Sequence, residues 1–308
     1  MCMLACRLII LICLLSTLAC QRKEQAAIFL DLDKVSPTTI TQRPLMKSLK
    51  LKVAICSMIT PHIGSSYYRM LAEYLGEKLN REISLTTKDM QADINNFVGT
   101  DDIDLAFVGG QTYVEAHEKN GAEILVAPQV RGTTTYYSYI IVPSDAPTKN
   151  LSDLRGKSFA FTYPTSLAGT IIPTMALAAM NEKPETFFAS TIFTYSHDTS
   201  IESVAKKLVD GAAVDSLVWH YMETKEHDFT SYTKIIWKSA PFATSPVVVR
   251  KNLNPKLKQE LKDIFLNLHN DPKGKIILNG LLIEKFVETK DSVYRSIRDL
   301  KGHFGKKN

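Results

Sequence analysis

The segment KSFAFTYPTSLAGTIIP, Lys157–Pro173, carries the pattern that decides the fold. Its first five residues are typical of a short strand, and a helix is predicted over Ser166–Met180, behind a turn of small hydroxyl residues. The same order recurs in IDLAFVGG, Ile103–Gly110, which precedes a helix predicted over Thr112–Asn120 and closed by Gly121. Strands that alternate with helices in this way predict a mainly parallel sheet covered by helices.

The alternation extends over most of the chain. Leu51–Ser57 is a nearly continuous apolar run, as expected for a strand buried on both faces, and Thr60 and Pro61 mark a helix start. The further strands predicted are Ile83–Thr87, Ile124–Ala127, Tyr136–Val142, Thr191–Tyr195, Ala212–Trp219 with the turn that ends it, Thr233–Ser239 and Ser245–Lys251. The further helices predicted are Gln91–Val98, Thr199–Leu208, Pro255–Asn270, Gly274–Leu281 and Asp291–Lys301.

These elements predict two similar α/β lobes. The chain is expected to cross between the lobes twice, near Tyr136–Val142 and near Ser245–Arg250, and its C-terminal helices are expected to return to the first lobe. The predicted division is residues 50–137 for the first part of lobe 1, 138–244 for lobe 2, and 245–308 for the return to lobe 1 and the C-terminal helices. Two crossings make a hinge, and a cleft between lobes suits a small ligand.

The N-terminus indicates export. Arg7 precedes an apolar run, Leu8–Ala19, which has the length of a signal-peptide core and is too short to span a bilayer. Ala19 directly before Cys20 resembles a bacterial lipoprotein cleavage site. The resemblance implies that residues 1–19 are a signal peptide and that Cys20 is a lipidated residue that anchors the chain to a membrane. A short uncleaved anchor is the alternative. Residues 20–49 have the polar, Pro- and Thr-bearing composition of a tether, which places the folded part on the outer side of the cell envelope.

Composition excludes several classes of protein. Of the 308 residues, 45% are hydrophobic and 22% charged, which is a globular mixture, and the net charge of +5 comes from scattered residues rather than from a basic block. Nucleic acid is therefore not an expected partner. Histidines are dispersed, and no metal-binding pair, phosphate loop or dinucleotide fingerprint occurs, so no metal and no cofactor are expected. If Cys20 carries lipid, Cys56 has no partner in the exported chain, and no disulfide is expected.

Candidate ligand residues follow the predicted strands, because ligands of open α/β sheets bind at the carboxyl ends of strands. The best candidate is the turn with Tyr163, Thr165 and Ser166, where a helix start offers free N–H groups and a partial positive charge to an anion. The alternative is that a hydroxyl merely caps the helix. Gly110, Gln111 and Tyr113 follow another strand and complete this part of the predicted site.

Three further residues are candidates with open alternatives. His197 can donate to an oxyanion or satisfy a buried carbonyl, and Asp215 can touch the ligand or hold a backbone turn. Tyr137 belongs to an aromatic run in which alternation directs one set of rings into the cleft and the other into the core. No serine or cysteine nucleophile is tied to His197 by spacing, so no catalytic residue is predicted.

Several segments in order resemble the periplasmic binding subunits of ABC importers for phosphonate, phosphite and phosphate. The match extends from about Leu51 to Asn270. The segments that carry it are DIDLAFVGGQTYVEA (Asp102–Ala116), YYSYIIV (Tyr136–Val142), NLSDLRGKSFAFTYPTSLAGTIIP (Asn150–Pro173), SHDTSIESVAKKLVDGAAVDSLVW (Ser196–Trp219) and WKSAPFATSPVVVRKNL (Trp237–Leu253). The resemblance implies a two-lobed periplasmic-binding-protein fold of type II, α/β with two chain crossings between lobes, and no catalysis.

The resemblance also implies which residues hold the anion: Thr165, Ser166, the backbone of Leu167, and His197. This chain departs from the family pattern in having Tyr163 where an aspartate is usual, and Leu167 where a second hydroxyl is usual. Aminophosphonate binders similar to this family hold the ligand amine with carboxylates; the position that matches one of them is Ser245, and the other has no clear equivalent in this chain. A tyrosine of the family's first-lobe loop is replaced here by Met90. We therefore expect a smaller oxyanion, or one with an uncharged tail.

Three functions compete at this point. The first is a monomeric binding protein that delivers a small oxyanion such as phosphate, phosphite or a phosphonate to an ABC permease. The second is the same fold coupled to a membrane sensor kinase, and the third is an enzyme on this fold, for which only His197 and Asp215 are available as acid–base groups.

Overall fold

A computed structural model describes residues 50–56, 64–88, 102–225 and 227–304. Several predictions therefore lie outside the described residues: the signal peptide, the tether with Cys20, the helix start at Thr60 and Pro61, the helix at Gln91–Val98, and Met90.

The chain alternates between strands and helices as predicted. The strands are β1 Leu51–Cys56, β2 Ile83–Lys88, β3 Leu105–Phe107, β4 Glu123–Gln129, β5 Thr135–Tyr136, β6 Ser138–Pro143, β7 Ser158–Phe161, β8 Ser190–Phe193, β9 Gly211–Asp215, β10 Thr233–Lys238, β11 Phe242–Ala243, β12 Val247–Val249 and β13 Lys285–Val287. The α-helices are α1 Ser65–Leu79, α2 Gly110–Asn120, α3 Ile172–Ala178, α4 Pro184–Phe187, α5 His197–Ala205, α6 Ser216–Lys225, α7 His227–Thr230, α8 Pro255–Asn267, α9 Pro272–Leu281 and α10 Arg295–Phe304. Shorter helical turns are Leu151–Leu154, Leu167–Ile171, Leu268–Asn270 and Asp291–Tyr294.

The strands form two main sheets joined by a two-stranded ribbon. One sheet has the order β13-β4-β12-β3-β1-β2, and the other has the order β10-β6-β9-β7-β8. The ribbon pairs β5 with β11, so the chain leaves the first sheet through β5 and returns through β11. Both sheets belong to one compact unit. This arrangement confirms the α/β architecture with two chain crossings, while the exact lobe boundaries stay a prediction.

The first crossing lies at the start of the predicted segment Tyr136–Val142, and the second lies just ahead of its predicted segment. Tyr136–Val142 was expected to be one strand, but it is divided at Tyr137: β5 pairs with β11, and β6 pairs with β9 and β10. The second crossing is Phe242–Ala243, ahead of the predicted Ser245–Arg250, which instead contains the central strand β12. Strands of two residues have no period that a sequence pattern can reveal.

The prediction of a turn after β9 was wrong. Ser216 instead begins the helix α6, which places Val218, Tyr221 and Met222 on one buried face. Asp215 precedes this helix and its carboxylate accepts a hydrogen bond from the N–H of Leu217, which is the behaviour of an N-cap.

The C-terminal helices pack around the first sheet, where α8 contacts β4 and β13. Helix α9 packs against α1, where Gly280 approaches Tyr67 so closely that a Cβ on Gly280 would lie 2.1 Å from the ring. Gly110 makes a similar approach, because a Cβ there would lie 2.6 Å from Ile297 of α10. The C-terminal segment therefore fixes the start of α2. None of the described helices has both the length and the apolar character to cross a membrane.

The start of the helical segment after β7 is fixed by contact with the strand end. An ideal Cβ on Gly169 would lie 1.9 Å from Oγ1 of Thr162, which is fully buried. The N–H of Thr162 also donates to the carbonyl of Gly169 at 3.3 Å. Only glycine lets the helix approach the strand this closely, so Gly169 sets the position of the turn at Ser166.

We predict that Gly169→Ala lowers the free energy of unfolding by about 1–3 kcal/mol through overpacking. Urea unfolding followed by circular dichroism measures this change. The double variant with Thr162→Ala should recover part of the loss, because it removes the nearest side-chain atom. Strict additivity of the two substitutions would contradict the contact as the cause.

Candidate functional site

A cavity lies where strands of both sheets end and the helices after them begin. Its described lining residues are Gly109, Gly110, Gln111, Tyr136, Tyr163, Ser166, Leu167, Ala168, His197, Asp215 and Ser245. Its volume is about 40 Å³, which is room for a few water-sized groups. Seven residues proposed from the sequence therefore come together here: Gly110, Gln111, Tyr163, Ser166, Leu167, His197 and Asp215.

Several helix N-termini converge on this cavity. Gly110 begins α2, Leu167 begins the helical turn that continues into α3, His197 begins α5, and Asp215 directly precedes α6. Each N-terminus carries unpaired N–H groups and about half a positive charge. Neither lysine nor arginine occurs among the described lining residues, so the positive potential comes from main-chain dipoles.

Ser166 holds the second of these N-termini in place. Its buried Oγ accepts a hydrogen bond from the N–H of Gly169 at 3.1 Å, which is the capping role left open by the sequence. The hydroxyl of Ser138 on β6 donates to the carbonyl of Ala168 at 2.6 Å and ties the turn to the sheet. Among the described residues, the N–H groups of Leu167 and Ala168 have no acceptor. Both N–H groups are available to an anion.

His197 is a neutral donor on the cavity wall. The main-chain N–H of Asp215 donates to its Nδ1 at 3.1 Å, so the proton of the neutral ring must be on Nε2. Burial lowers the pKa of His197 to about 4, which keeps the ring neutral near pH 7. The imidazole accepts from the main chain of Asp215. Among the described residues, no hydrogen bond joins the ring to the carboxylate of Asp215. An acid–base relay between these two residues therefore has no support in the described contacts.

Asp215 brings a carboxyl group to the same cavity. Its Oδ1 accepts from the N–H of Leu217 at 2.7 Å. Burial raises the pKa of Asp215 to about 7, and the opposing effect of the N–H groups of Leu217 and Val218 is smaller. Below this pH the protonated carboxyl can donate to an oxyanion, and above it the carboxylate repels one.

Three candidates from the sequence lie away from the cavity. Tyr113 is buried against Tyr294, and its hydroxyl donates to Asp291 at 2.5 Å, so it supports α2 from behind. Tyr137 stacks on Tyr139, with the Lys238 ammonium 3.5 Å from the centre of its ring. Thr165 is exposed at the turn and is not a lining residue.

The cavity also contains residues that the site prediction missed. Tyr136 lines it in place of its neighbour Tyr137, because the break between β5 and β6 changes which ring faces the cleft. Gly109 and Ala168 are the other additions, and Ser245, named from the sequence only as the position of an amine-holding carboxylate in similar proteins, also lines the cavity. Alternation along Tyr136–Tyr139 was the available signal, and it left open which set of rings faced the ligand.

Comparison with known proteins identifies the relatives of this chain. Residues 53–294 match the family model described as "ABC transporter, phosphonate, periplasmic substrate-binding protein". The phosphonates-binding periplasmic protein of Escherichia coli K12 is 30% identical over 203 residues, which cover 64% of this chain and 60% of the relative. The phosphate-import protein PhnD of Mycolicibacterium smegmatis is 31% identical over 175 residues, which cover 53% of this chain and 54% of the relative. The chain thus matches less than two thirds of the length of either relative.

Two solved structures share the fold. A binding protein component of an ABC phosphonate transporter from Pseudomonas aeruginosa superposes with a TM-score of 0.75 at 24% identity, over 82% of this chain and 85% of that one. PhnD1 of Prochlorococcus marinus, in complex with methylphosphonate, superposes with a TM-score of 0.75 at 20% identity, over 83% of this chain and 98% of that one.

The two shifted pKa values predict opposite pH dependences of stability. The raised pKa of Asp215 favours folding at low pH, and this contribution is lost as the pH rises from about 4 to about 7. The lowered pKa of His197 favours folding above the ordinary histidine value of 6.5, and this contribution is lost as the pH falls from 6.5 to about 4. In the parent protein the two effects oppose each other over most of this range.

Single substitutions should separate the contributions of Asp215 and His197 to stability. As the pH rises from 4 to 7, the free energy of unfolding of Asp215→Asn should increase relative to that of the parent. As the pH rises from 4 to 6.5, the free energy of unfolding of His197→Asn should decrease relative to that of the parent. Urea unfolding at intervals of one pH unit measures both, with Asp228→Asn at an exposed position as the control. Parallel pH profiles for all four proteins would contradict the assignment.

Proposed function

The chain belongs to the family of periplasmic substrate-binding proteins of phosphonate ABC transporters, and from this premise we propose that it binds a phosphonate-like oxyanion in the cavity and delivers it to an ABC importer. The observation that carries the proposal is the convergence of helix N-termini on a cavity whose described lining has no basic side chain. Such N-termini attract anions through oriented N–H groups.

The donors suit the oxygens of a tetrahedral anion. The N–H groups of Leu167 and Ala168 offer two donors, and the hydroxyl of Ser166 offers a third, because its oxygen already accepts from Gly169. Nε2–H of His197 supplies a neutral donor, which adds a hydrogen bond without the cost of burying a cation. The start of α2 at Gly110 faces the same space from the first sheet.

Asp215 limits which anions bind well. A carboxylate beside an oxyanion is repulsive, whereas a carboxylic acid donates a hydrogen bond to an oxygen. With a pKa of about 7, Asp215 can take up a proton when the anion enters. A ligand with ionised oxygens on a small tetrahedral centre, such as phosphonate or phosphate, meets these requirements.

Binding should draw the two sheets together. Gly110 follows a strand of the first sheet, Ser166 and His197 follow strands of the second, and Tyr136 lies in the ribbon that joins them. A ligand that contacts all of them is bound better when the cleft is closed, so it shifts the population towards the closed state. A permease can then distinguish the loaded protein from the empty one.

Attachment to the membrane is the second part of the proposal. We infer that Cys20 becomes the mature N-terminus, carries lipid, and holds the protein beside its permease on the outer face of the cell envelope. The support is the apolar run Leu8–Ala19 directly before Cys20. A single acyl chain anchors weakly, so more than one chain is expected.

The anion site is tested by a charge placed in it. Ser166→Asp and Ser166→Asn both keep an oxygen that can cap the helix, and they differ only in charge. A negative charge about 4 Å from the anion costs roughly 4 kcal/mol near a protein surface, or about a thousandfold in affinity. Calorimetry with methylphosphonate should show this loss in Ser166→Asp, with Ser166→Asn close to the parent. Equal affinities for the two variants would place the site elsewhere.

The anchor is tested by Cys20→Ala. We predict that this substitution abolishes lipid labelling and leaves the protein unprocessed at the lipidation step. Metabolic labelling with a fatty acid and membrane fractionation measure both effects. A processed, membrane-bound Cys20→Ala protein would refute the assignment.

A further inference from the structure

Helix α6 lies on the side of the second sheet but makes a buried contact with a helix of the first. It packs against β9, α5 and α7, which all lie on the second-sheet side. The buried ring of Tyr221 on α6 nevertheless reaches the other side, where its hydroxyl donates to the carbonyl of Gly280 in α9 at 3.0 Å. Helix α9 packs against α1, which lies on the first sheet. This hydrogen bond therefore joins the two sides of the hinge.

The carbonyl that accepts this bond lies at the end of its helix. Gly280 is the last residue but one of α9, and the last four carbonyls of a helix have no partner within the helix itself. The N–H of Glu284, four residues further on, donates to the carbonyl of Gln129 instead. Tyr221 thus supplies, from the second-sheet side, a donor that the buried end of α9 requires.

The interface around Tyr221 is not closely packed. A cavity of about 50 Å³ lies between the start of α6 and the first sheet, with Leu217 and Val218 on one wall and Phe107 and Val247 on the other. Atoms that face a void lose dispersion contacts. Packing therefore holds these two walls together less firmly than it holds a core, and the hydrogen bond of Tyr221 is a directed contact that separation of the walls has to break.

A second contact joins α6 to the first-sheet side. Arg131 lies in the turn after β4, and Nη1 of its guanidinium is 3.1 Å from Nδ1 of His220 on α6. The neighbouring N–H of Gly132 donates to the carboxylate of Glu284, which ties this turn to the segment after α9. Arg131 is exposed, so its contact contributes less than the buried bond of Tyr221.

The same helix also carries part of the anion site. Asp215 directly precedes α6 and lines the anion cavity together with Gly110 and Ser245 from the first-sheet side. Six residues of α-helix span about 9 Å, so Asp215 and Tyr221 lie on one short, rigid element. A rotation that withdraws Asp215 from the first-sheet side therefore withdraws Tyr221 from Gly280 as well.

We propose that Tyr221 is a latch, a residue whose hydrogen bond to Gly280 forms when the cleft closes around the ligand and breaks when the cleft opens to release it. The inference rests on the proposed function and adds a positioning residue that does not line the anion cavity. In the open protein, water satisfies both groups, so the net contribution of the bond is modest. A modest contribution slows release of the ligand without preventing it.

The hydroxyl is tested by Tyr221→Phe, which keeps the buried ring and removes the donor. Calorimetry and stopped-flow tryptophan fluorescence on the purified full-length protein in detergent use methylphosphonate and inorganic phosphate. The variant should bind these anions about two- to tenfold more weakly, because the closed state loses one hydrogen bond. The loss should come from faster dissociation, with an association rate within about twofold of the parent's. Tyr232→Phe removes the same hydroxyl from a tyrosine that is 62% exposed, and this control should behave like the parent.

Arg131→Gln is a second variant, at an exposed position, that leaves the core intact. It removes the guanidinium that contacts α6 and should raise the dissociation rate about twofold. Thermal unfolding shows whether each variant is folded. If Tyr221→Phe is not, a dissociation rate of Arg131→Gln equal to the parent's overturns the inference, and a faster rate supports it.

The outcomes separate this inference from the proposed function. Faster dissociation of the bound anion from Tyr221→Phe, with the parent's association rate, supports the latch. Affinity equal to the parent's or tighter, or a loss confined to the association rate, overturns this inference alone, because the bond then persists in the open protein or favours it. Failure of the parent to bind either anion overturns the proposed function and this inference together.

Discussion

The proposed anion site depends on one constraint: an anion in the interior needs positive potential at a place where the described residues supply no basic side chain. Helix N-termini meet this need, because their N–H groups are already fixed by the helix and lose little freedom when they bind. At the turn of Ser166, contacts with the strands fix the position of the helix N-terminus. Gly169 lies against Thr162, and Ser138 holds the carbonyl of Ala168, so the free N–H groups are fixed towards the cavity. His197 adds a donor whose tautomer is set by the main chain of Asp215.

The second constraint is that the chain passes twice between the two main sheets. Because β5 and β11 pair with each other, the connection between the two sheets is a narrow ribbon. The cavity with Ser166 and His197 takes residues from the two sides of this ribbon. We therefore expect a ligand bound there to be coupled to the relative position of the sheets.

Much of the fold, and most of the residues that line the cavity, could be predicted from the sequence, because strand-to-helix junctions have local signals. Ser166, His197 and Asp215 each follow an apolar strand, and the parallel order brings such junctions to one edge. Tyr136 could not be distinguished from Tyr137, since the break between β5 and β6 is decided by pairing with a strand about a hundred residues later. Helix α6 was missed although Asp215 is a good N-cap, since the apolar residues after it also suit a buried turn.

The most direct test of the central claim is a crystal structure of the protein with bound methylphosphonate. We expect phosphonate oxygens within about 2.7–3.2 Å of the main-chain nitrogens of Leu167 and Ala168, and a hydrogen bond from Nε2 of His197 to one of them. A phosphonate bound at any other surface, or one held in this cavity without contact to these nitrogens, would contradict the proposed site.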